Sequence, residues 1–400
     1  MMRGFILILL LAVLVPLFAQ DRNVFDVVDY GAIGDGKTND TQAFENAWKA
    51  ACNPESSSDS TLIVPVQKTF LLRPITFEGP CSTKHIYFQI NGTIVAPSDI
   101  DQWGCDNNHC DQWIKFTNIN GLYLYGNGVI DGQGSNWWAT CNYNKNHCPA
   151  RPTAVKIADS NYVHVRDIRV INSPEMHVVI LKSSYVHITN INIFAPEDSP
   201  NTDGIHIDRS SNVNIDHSHI GTGDDCISIG TGTSQLTVYK VRCGPGHGIS
   251  IGSLGKHGAE DTVEDIHVNH VDFWGTSNGV RIKTWQGGKG YARNITFENI
   301  KCHSARYPII INQYYCDHTA CKNQTSAVQI SNVSYRRVRG TSVRDTAVSF
   351  ACSETVPCTG IVLEDVKLRS TRHDRETLAY CLNAYGKGYG QVVPTVPCLG

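Results

Sequence analysis

Strong net charge is missing from this chain of 400 residues: 34 Lys and Arg against 37 Asp and Glu leave a formal charge of −3. No global basic field draws it to nucleic acid, although the balance leaves room for a local cationic groove. A second long apolar run is missing too. The first, Phe5 to Phe18, follows Arg3 and precedes Ala19. It is too short and too poorly flanked for a membrane span, and it reads as a secretory signal peptide over 1–19 cut near Ala19, with an uncleaved anchor as the other reading. The mature chain is then expected to be soluble, extracellular and off the membrane. Neither paired CxxC motifs nor an HxxxH spacing occurs, so zinc has no ligand set and no cofactor or metal is expected. No linker or low-complexity stretch divides the chain, the Ser56–Ser60 loop being too short, so 20–400 reads as one domain despite its length. Helical stretches of about 10–15 residues between strands are also lacking, which argues against an alternating βαβ sheet.

What is present is a repeat. Four stretches rhyme: Asp203-Gly-Ile-His-Ile, Asp225-Cys-Ile-Ser-Ile, His247-Gly-Ile-Ser-Ile and Asn278-Gly-Val-Arg-Ile, the first three starting about 22 residues apart. A fixed period of that size marks a solenoid, whose core grows with each stacked repeat. A second phrase recurs in Val163–Val170, Val186–Ile193, Val213–Ile220, Ile295–Cys302, Val328–Tyr335 and Ile361–Leu368, adjacent copies lying roughly 23 to 33 residues apart. Each copy alternates apolar and polar residues, breaks at a polar corner, often Asn or Asp, and alternates again. That pattern describes two strands meeting at a bend with aliphatic residues inside. A β-sandwich does not explain the recurrence. The expected fold is all-β, a single-domain right-handed parallel β-helix. Thr41–Cys52 carries apolar residues at helical spacing, with Asn39 or Asp40 as N-cap. It is read as one short N-terminal helix capping the open end of the solenoid, which otherwise invites edge pairing.

Fifteen cysteines fit an oxidising compartment. Close spacings suggest Cys105 with Cys110, Cys141 with Cys148, Cys226 with Cys243, Cys316 with Cys321, Cys352 with Cys358 and Cys381 with Cys398. Cys52 and Cys81 then pair across a longer loop, and Cys302 is left as a buried free thiol. Sequons begin at Asn39, Asn91, Asn294, Asn323 and Asn332, as in a secreted glycoprotein.

Stacking brings the rhyming stretches onto one stripe. Asp224 and Asp225 repel each other, so one of them is expected to keep its proton above the usual carboxylate range, as a general acid requires. Asp203, one coil earlier, can face that pair across a gap that admits water, the layout of an inverting glycosidase. A lone Asp-Asp is more often a solvated turn; the coil spacing and the neighbouring His247 argue otherwise. His247 sits in Gly244-Pro-Gly-His-Gly, where small neighbours let a substrate near the backbone, and can hold the acid's protonation state or bind a sugar hydroxyl. Arg281 and Lys283 flank Ile282 and should face out together, suited to carboxylates on a substrate, or else to ordinary surface duty. Asp203 fits the alternation less cleanly, because Ile205 should share its face. Trp285, Tyr291, Tyr314 and Tyr315 offer stacking faces for sugars, though aromatic residues are more often core.

At these residues the chain resembles the polygalacturonases, pectin-cleaving glycoside hydrolases of family 28, and in detail their plant branch. The matching segments are Asn201-Thr-Asp-Gly, Gly223-Asp-Asp-Cys, Gly246-His-Gly and Arg281-Ile-Lys, supported by Gly31-Ala-Ile-Gly-Asp-Gly-Lys-Thr-Asn-Asp-Thr. Each is weak alone; the four in order are specific, and the likeness runs from about Val24 to Cys398. The resemblance implies a parallel β-helix, hydrolysis of α-1,4-galacturonosidic bonds in homogalacturonan with inversion, and no metal. It implies Asp224 as general acid, Asp203 and Asp225 as carboxylates activating water, and His247 as support for the acid. Asn201, Arg281 and Lys283 become substrate contacts, and the family's tyrosine falls on Tyr315, with Tyr314 beside it. The expected protein is a monomeric, secreted, endo-acting wall enzyme. Exo action, a rhamnogalacturonan or xylogalacturonan hydrolase, a calcium-dependent pectate lyase and an inactive pectin-binding protein are the alternatives.

Overall fold

Alternation carried from coil to coil builds the fold. The computed structural model describes residues 23–54, 58–105, 110–143, 150–316, 321–372 and 374–399; the expected signal peptide over 1–19 and Cys148 lie outside them. The strands pair in parallel, each with its counterpart one coil away, into a right-handed parallel β-helix. An 11-stranded sheet runs in strict chain order from Ile75–Glu78 to Leu378–Leu382, and a 21-stranded sheet closes the remaining circumference. Parallel sheets need both faces occupied, and here the inner face supplies the core. Val178, Ile205, Ile227, Ile249, Val280 and Ile309 stack in one inward column. Ile180, Ile207, Ile229, Ile251, Ile282 and Ile311 stack in the next, and every one of these residues is at most 1% exposed. Each such side chain contributes about 1.5–3 kcal/mol relative to an exposed one. These columns hold the outward residues of the smaller sheet in fixed register.

The bends expected from the second phrase are a stacked column of left-handed residues: Asp167, Asn190, His217, Lys240, His270, Asn299, Arg337 and Asp365, with φ between 48° and 61°. Asn and Asp adopt this region at little cost, and their side chains bridge coils, as Asn190 Nδ2 does to Asp167 Oδ1 at 2.7 Å. His217 and His270 share some of that tolerance, whereas Lys240 and Arg337 do not, and there pairing on both sides of the bend imposes it. One expected alignment slips. Val333, not Val328, pairs with Ile295, and the corner of Val328–Tyr335 at Asn332 belongs to a second column with Asn294 and Asp265. The strands are also longer than expected where they run through a bend, as in Glu260–Trp274 and Lys289–Ala305.

Helix Thr41–Cys52 lies against Asn23–Asp26, Ser60–Val64 and Ile75–Glu78 at the N-terminal end, burying Phe44, Ala47 and Trp48. Its cap is shared. Asn39 Oδ1 accepts from the Thr41 N–H at 3.2 Å, while the buried Asp40 carboxylate turns back to the Ile33 and Gly34 N–H groups at 2.7 and 3.1 Å. A second helix, Ser135–Tyr143, was not expected; its apolar residues show no clear period, and it is held by Trp137 against Trp103 and by the Trp138 Nε1–H on the Ser173 carbonyl. Six of the expected disulfides are present: Cys52–Cys81, Cys105–Cys110, Cys226–Cys243, Cys316–Cys321, Cys352–Cys358 and Cys381–Cys398. Cys302 is a buried free thiol. Among the sequon asparagines, Asn39, Asn294, Asn323 and Asn332 are exposed and Asn91 is half-buried. No helix among the described residues is long and apolar enough to cross a membrane.

Candidate active site

The register of the smaller sheet turns sequence rhyme into proximity. Asp203, Asp225, His247 and Asn278 each stand two residues before a paired inward residue, namely Ile205, Ile227, Ile249 and Val280. Met176 holds the same place one coil earlier. Within the strands, His206, Ser228, Ser250 and Arg281 form one outward column. A cleft of about 760 Å³ opens over this stripe, and Asn201, Asp203, Asp224, Asp225, His247, Arg281, Lys283 and Tyr315 all line it.

Asp203 escapes the alternation because it precedes its strand, Ile205–Asp208. Its carbonyl accepts the His177 N–H at 2.8 Å and the ring Nδ1–H at 3.1 Å. Gly204 then passes so near the next coil that a Cβ there would lie 2.5 Å from the Cys226 carbonyl oxygen. Gly248, with φ of 91°, would place a Cβ 2.2 Å from the Asn278 oxygen. The small residue after His247 thus serves the close approach of coils.

Asp225 is fully buried. Its Oδ1 accepts from Arg281 Nη2 and from Ser250 Oγ, both at 2.7 Å, and its Oδ2 from Lys283 Nζ at 3.0 Å. Burial pushes this carboxyl upward, but Lys283 and Arg281, aided by the Ser250 hydroxyl, outweigh it and hold the group well below the usual carboxylate range. Asp203 goes the other way. Burial, then the charges of Asp224 and Asp225, raise it well above that range, against weaker opposition from Ser228 and Lys283. For Asp225 the expectation of a raised carboxyl is corrected, because the cations lie beside it, and Asp203, one coil earlier, is pushed up. Asp224 is 20% exposed, and its Oδ1 meets His247 Nδ1 at 2.9 Å and accepts the Asp225 N–H at 2.8 Å. Burial lowers the His247 pKa, but the hydrogen bond and charge of Asp224 more than reverse this, so it is raised.

Several participants carried no sequence signal. Ser250 also accepts from Arg281 Nε at 2.8 Å, bridging the cation to Asp225. His206 Nδ1 contacts Ser228 Oγ at 2.8 Å. Arg151, 2% exposed, donates to the Pro200 carbonyl at 2.8 Å and to Asn201 Oδ1 at 3.1 Å, so it holds the turn that presents Asn201. His177 is fully buried, and burial brings its pKa down to about 4. Of the aromatics, Tyr315 faces the cleft, with Lys283 Nζ 5.2 Å from its ring centroid and Trp285 packed edge-on at 5.8 Å. Tyr314 lines a separate hollow with Gln286 and Glu354. Tyr291 lies on the larger sheet against Glu264 and Arg293, away from the cleft.

Donor atoms of Asp224, Asp225 and His247 lie within 4.8 Å of one another, close enough to consider a cation. Both Asp225 oxygens are already committed to Lys283, Arg281 and Ser250. A divalent ion there would sit against two fixed positive charges, so the donor set fits one poorly. The arrangement joins one carboxylate kept ionised, one kept protonated and a third coupled to histidine, a set able to give and take protons at once.

The family model described as glycosyl hydrolases family 28 matches residues 54–388. A polygalacturonase of Chamaecyparis obtusa is 45% identical over 385 residues, covering 93% of this chain and 72% of that protein. Among solved structures, the endo-xylogalacturonan hydrolase of Aspergillus tubingensis superposes with a TM-score of 0.76 at 23% identity, covering 92% of this chain and 100% of that one. The exopolygalacturonase of Thermotoga maritima gives 0.70 at 21%, with 87% and 88% covered. Likenesses this distant in sequence speak for the fold alone.

Proposed function

The chain belongs to family 28 of the glycosyl hydrolases, and within it we propose a secreted, extracellular polygalacturonase that hydrolyses α-1,4 bonds of homogalacturonan with inversion. The observation carrying this reading is the pairing of two differently held carboxyls in one cleft, Asp225 bound by Lys283, Arg281 and Ser250 and Asp224 open to the cleft on His247. Inversion needs one carboxyl that gives a proton and one that takes it. Asp225, held ionised, is the member that takes it. Asp224 is the member exposed to the cleft and is assigned as donor to the leaving oxygen. Water, oriented by Asp203, attacks the anomeric carbon, the glycosidic C–O bond breaks, and the proton shed by water passes to Asp225. His247 supports Asp224 through their hydrogen bond. Arg281 and Lys283, which present positive charge to the cleft, bind galacturonate carboxylates with Asn201 and Tyr315 beside them. Beyond His247 the cleft adjoins a second hollow lined by Gly246, Thr276, Ser277 and Arg306, and this extension favours endo action.

The test is product analysis on polygalacturonate with EDTA present. Saturated oligomers of mixed length are expected. Monomer alone would mean exo action, unsaturated products abolished by EDTA would mean a lyase, and activity confined to branched pectins would mean a related hydrolase. Asp224→Asn should lower kcat by about 10²–10⁴-fold while substrate binding persists. An unchanged rate would sink the role given to Asp224.

A further inference from the structure

A cationic groove of about 540 Å³ lies on the larger sheet, in the same coils as the cleft, and none of its lining residues lines the cleft. Its floor is a ladder in which Arg242 pairs with Asp272, Asp272 with Lys301, Lys301 with Arg339, and Arg339 with Lys367 one coil further on. All four cations are exposed. Among the described residues none of them makes an ion pair, whereas nearby Arg293, Arg336 and Arg337 pair with Glu264, Glu364 and Glu298. Asp272 is the lone carboxylate lining the groove, and Lys240 and Arg337 add positive charge at the bend. Lys301, Arg339 and Lys367 follow one another at the rung spacing of about 4.8 Å. Like charges at that spacing repel. Such a concentration in a chain of net charge −3 calls for an anionic occupant with charges repeated along its length.

A second observation selects the kind of polyanion. Two residues beyond Asp272 and Lys301, on the same outward face, Trp274 and His303 stack with centroids 3.7 Å apart and planes at 10°. Trp274 is 53% exposed. An open indole face beside unpaired cations suits an acidic sugar, its ring lying on the aromatic and its carboxylates on Lys and Arg. One hexuronate unit advances by a distance comparable to one rung. We infer that this groove holds a polyuronate strand that is not cut, a galacturonan bound apart from the cleft, which keeps the enzyme on its insoluble substrate. The inference rests on the polygalacturonase reading only for the source of the polyuronate, not for any catalytic role.

The experiment compares Lys301→Glu/Arg339→Glu and, separately, Trp274→Ala with the parent chain. In an Asp224→Asn background, retention on insoluble pectate and affinity for long-chain polygalacturonate are measured at low and high salt. Both variants should bind the long chain about tenfold or more weakly, and the charge-reversed one should lose most of its salt sensitivity. In the active background, kcat/KM on short oligogalacturonates should stay at the parent value with the thermal midpoint unchanged. Undiminished retention of the charge-reversed variant would overturn the inference, as would equal retention of the parent on fully esterified pectin. If the parent binds pectate through these residues yet cleaves no polygalacturonate, the function reading fails and the groove stands.

Discussion

Ser250→Ala tests the electrostatics of the site at a residue with no assigned contact to substrate. The hydroxyl donates to Asp225 Oδ1 at 2.7 Å in a fully buried setting. A hydrogen bond to a charged group is worth about 1.5–3 kcal/mol. At about 1.36 kcal/mol per pKa unit, its loss should raise Asp225 by about one to two units. The sign follows from linkage. Asp225 sits below its unfolded value, so its contribution to stability is present above the unfolded pKa and is lost as pH falls through the folded one. The variant should therefore lose about 1.5–3 kcal/mol at neutral pH, and the difference from the parent should fade in strong acid. The proposed mechanism uses the ionised form, so under it the acid limb of kcat/KM should move to higher pH by the same one to two units, roughly. Reducing-end release on polygalacturonate, followed down into acid below the usual carboxylate range where Asp225 titrates, reads the limb, and denaturant unfolding reads the stability. A stability loss with an unmoved acid limb would refute Asp225 as the proton acceptor. Arg281 also loses its Nε acceptor, and that effect should appear in KM.

Burial brings the pKa of His177 down to about 4, so it stays neutral in the fold while the unfolded chain binds a proton there near 6.5. Stability should fall as pH drops from 6.5 to 4, by up to about 3 kcal/mol from this group, and His177→Gln should flatten that slope in unfolding measurements; an identical slope would remove His177 as the cause. Cys302 has its thiol pushed up to about 12 by burial and by the charge of Asp272. It should resist thiol reagents in the native protein and yield one thiol equivalent on unfolding without reductant, whereas rapid native labelling or several equivalents would contradict the burial or the disulfide set.

Legibility in the sequence tracked whether a physical signal was local. Inward Ile and Val every second residue, with a polar break, were enough to expect a stacked coil, because an aliphatic column has no other place to go. The same stacking made Asp203, Asp225 and His247 neighbours at a distance readable by counting. Arg151 and Asn201 are 50 residues apart in sequence, and nothing near Arg151 announces that it supports the Asn201 turn. Ser228 and Ser250 looked like any outward strand serine until the register placed them between charges. The upward shift of Asp203 was not legible because adjacency in sequence pointed to Asp224 against Asp225, whereas burial and the charges of the next coil act on Asp203. Val328–Tyr335 was misaligned because two bends per coil use the same residue types.

The direction of each carboxyl follows from its place along the helix axis. Ser250 is one coil beyond Asp225 and Arg281 two beyond, so Asp225 faces a hydroxyl and then two cations. Asp203 is one coil earlier. It sees burial and two carboxylates first, with Lys283 pulling the other way least. A row of near-identical coils thereby sets up a gradient along the stripe, proton-holding and without cations at the Asp203 end, positive at the Lys283 end. A uronate chain laid along the axis would meet that gradient with its own fixed carboxylates. Its favourable placement puts a carboxylate over Arg281 and Lys283 and keeps carboxylates clear of Asp203. The scissile oxygen then falls between, next to the half-exposed Asp224. Substrate register would be selected by where charge is missing on the stripe as much as by where it is present.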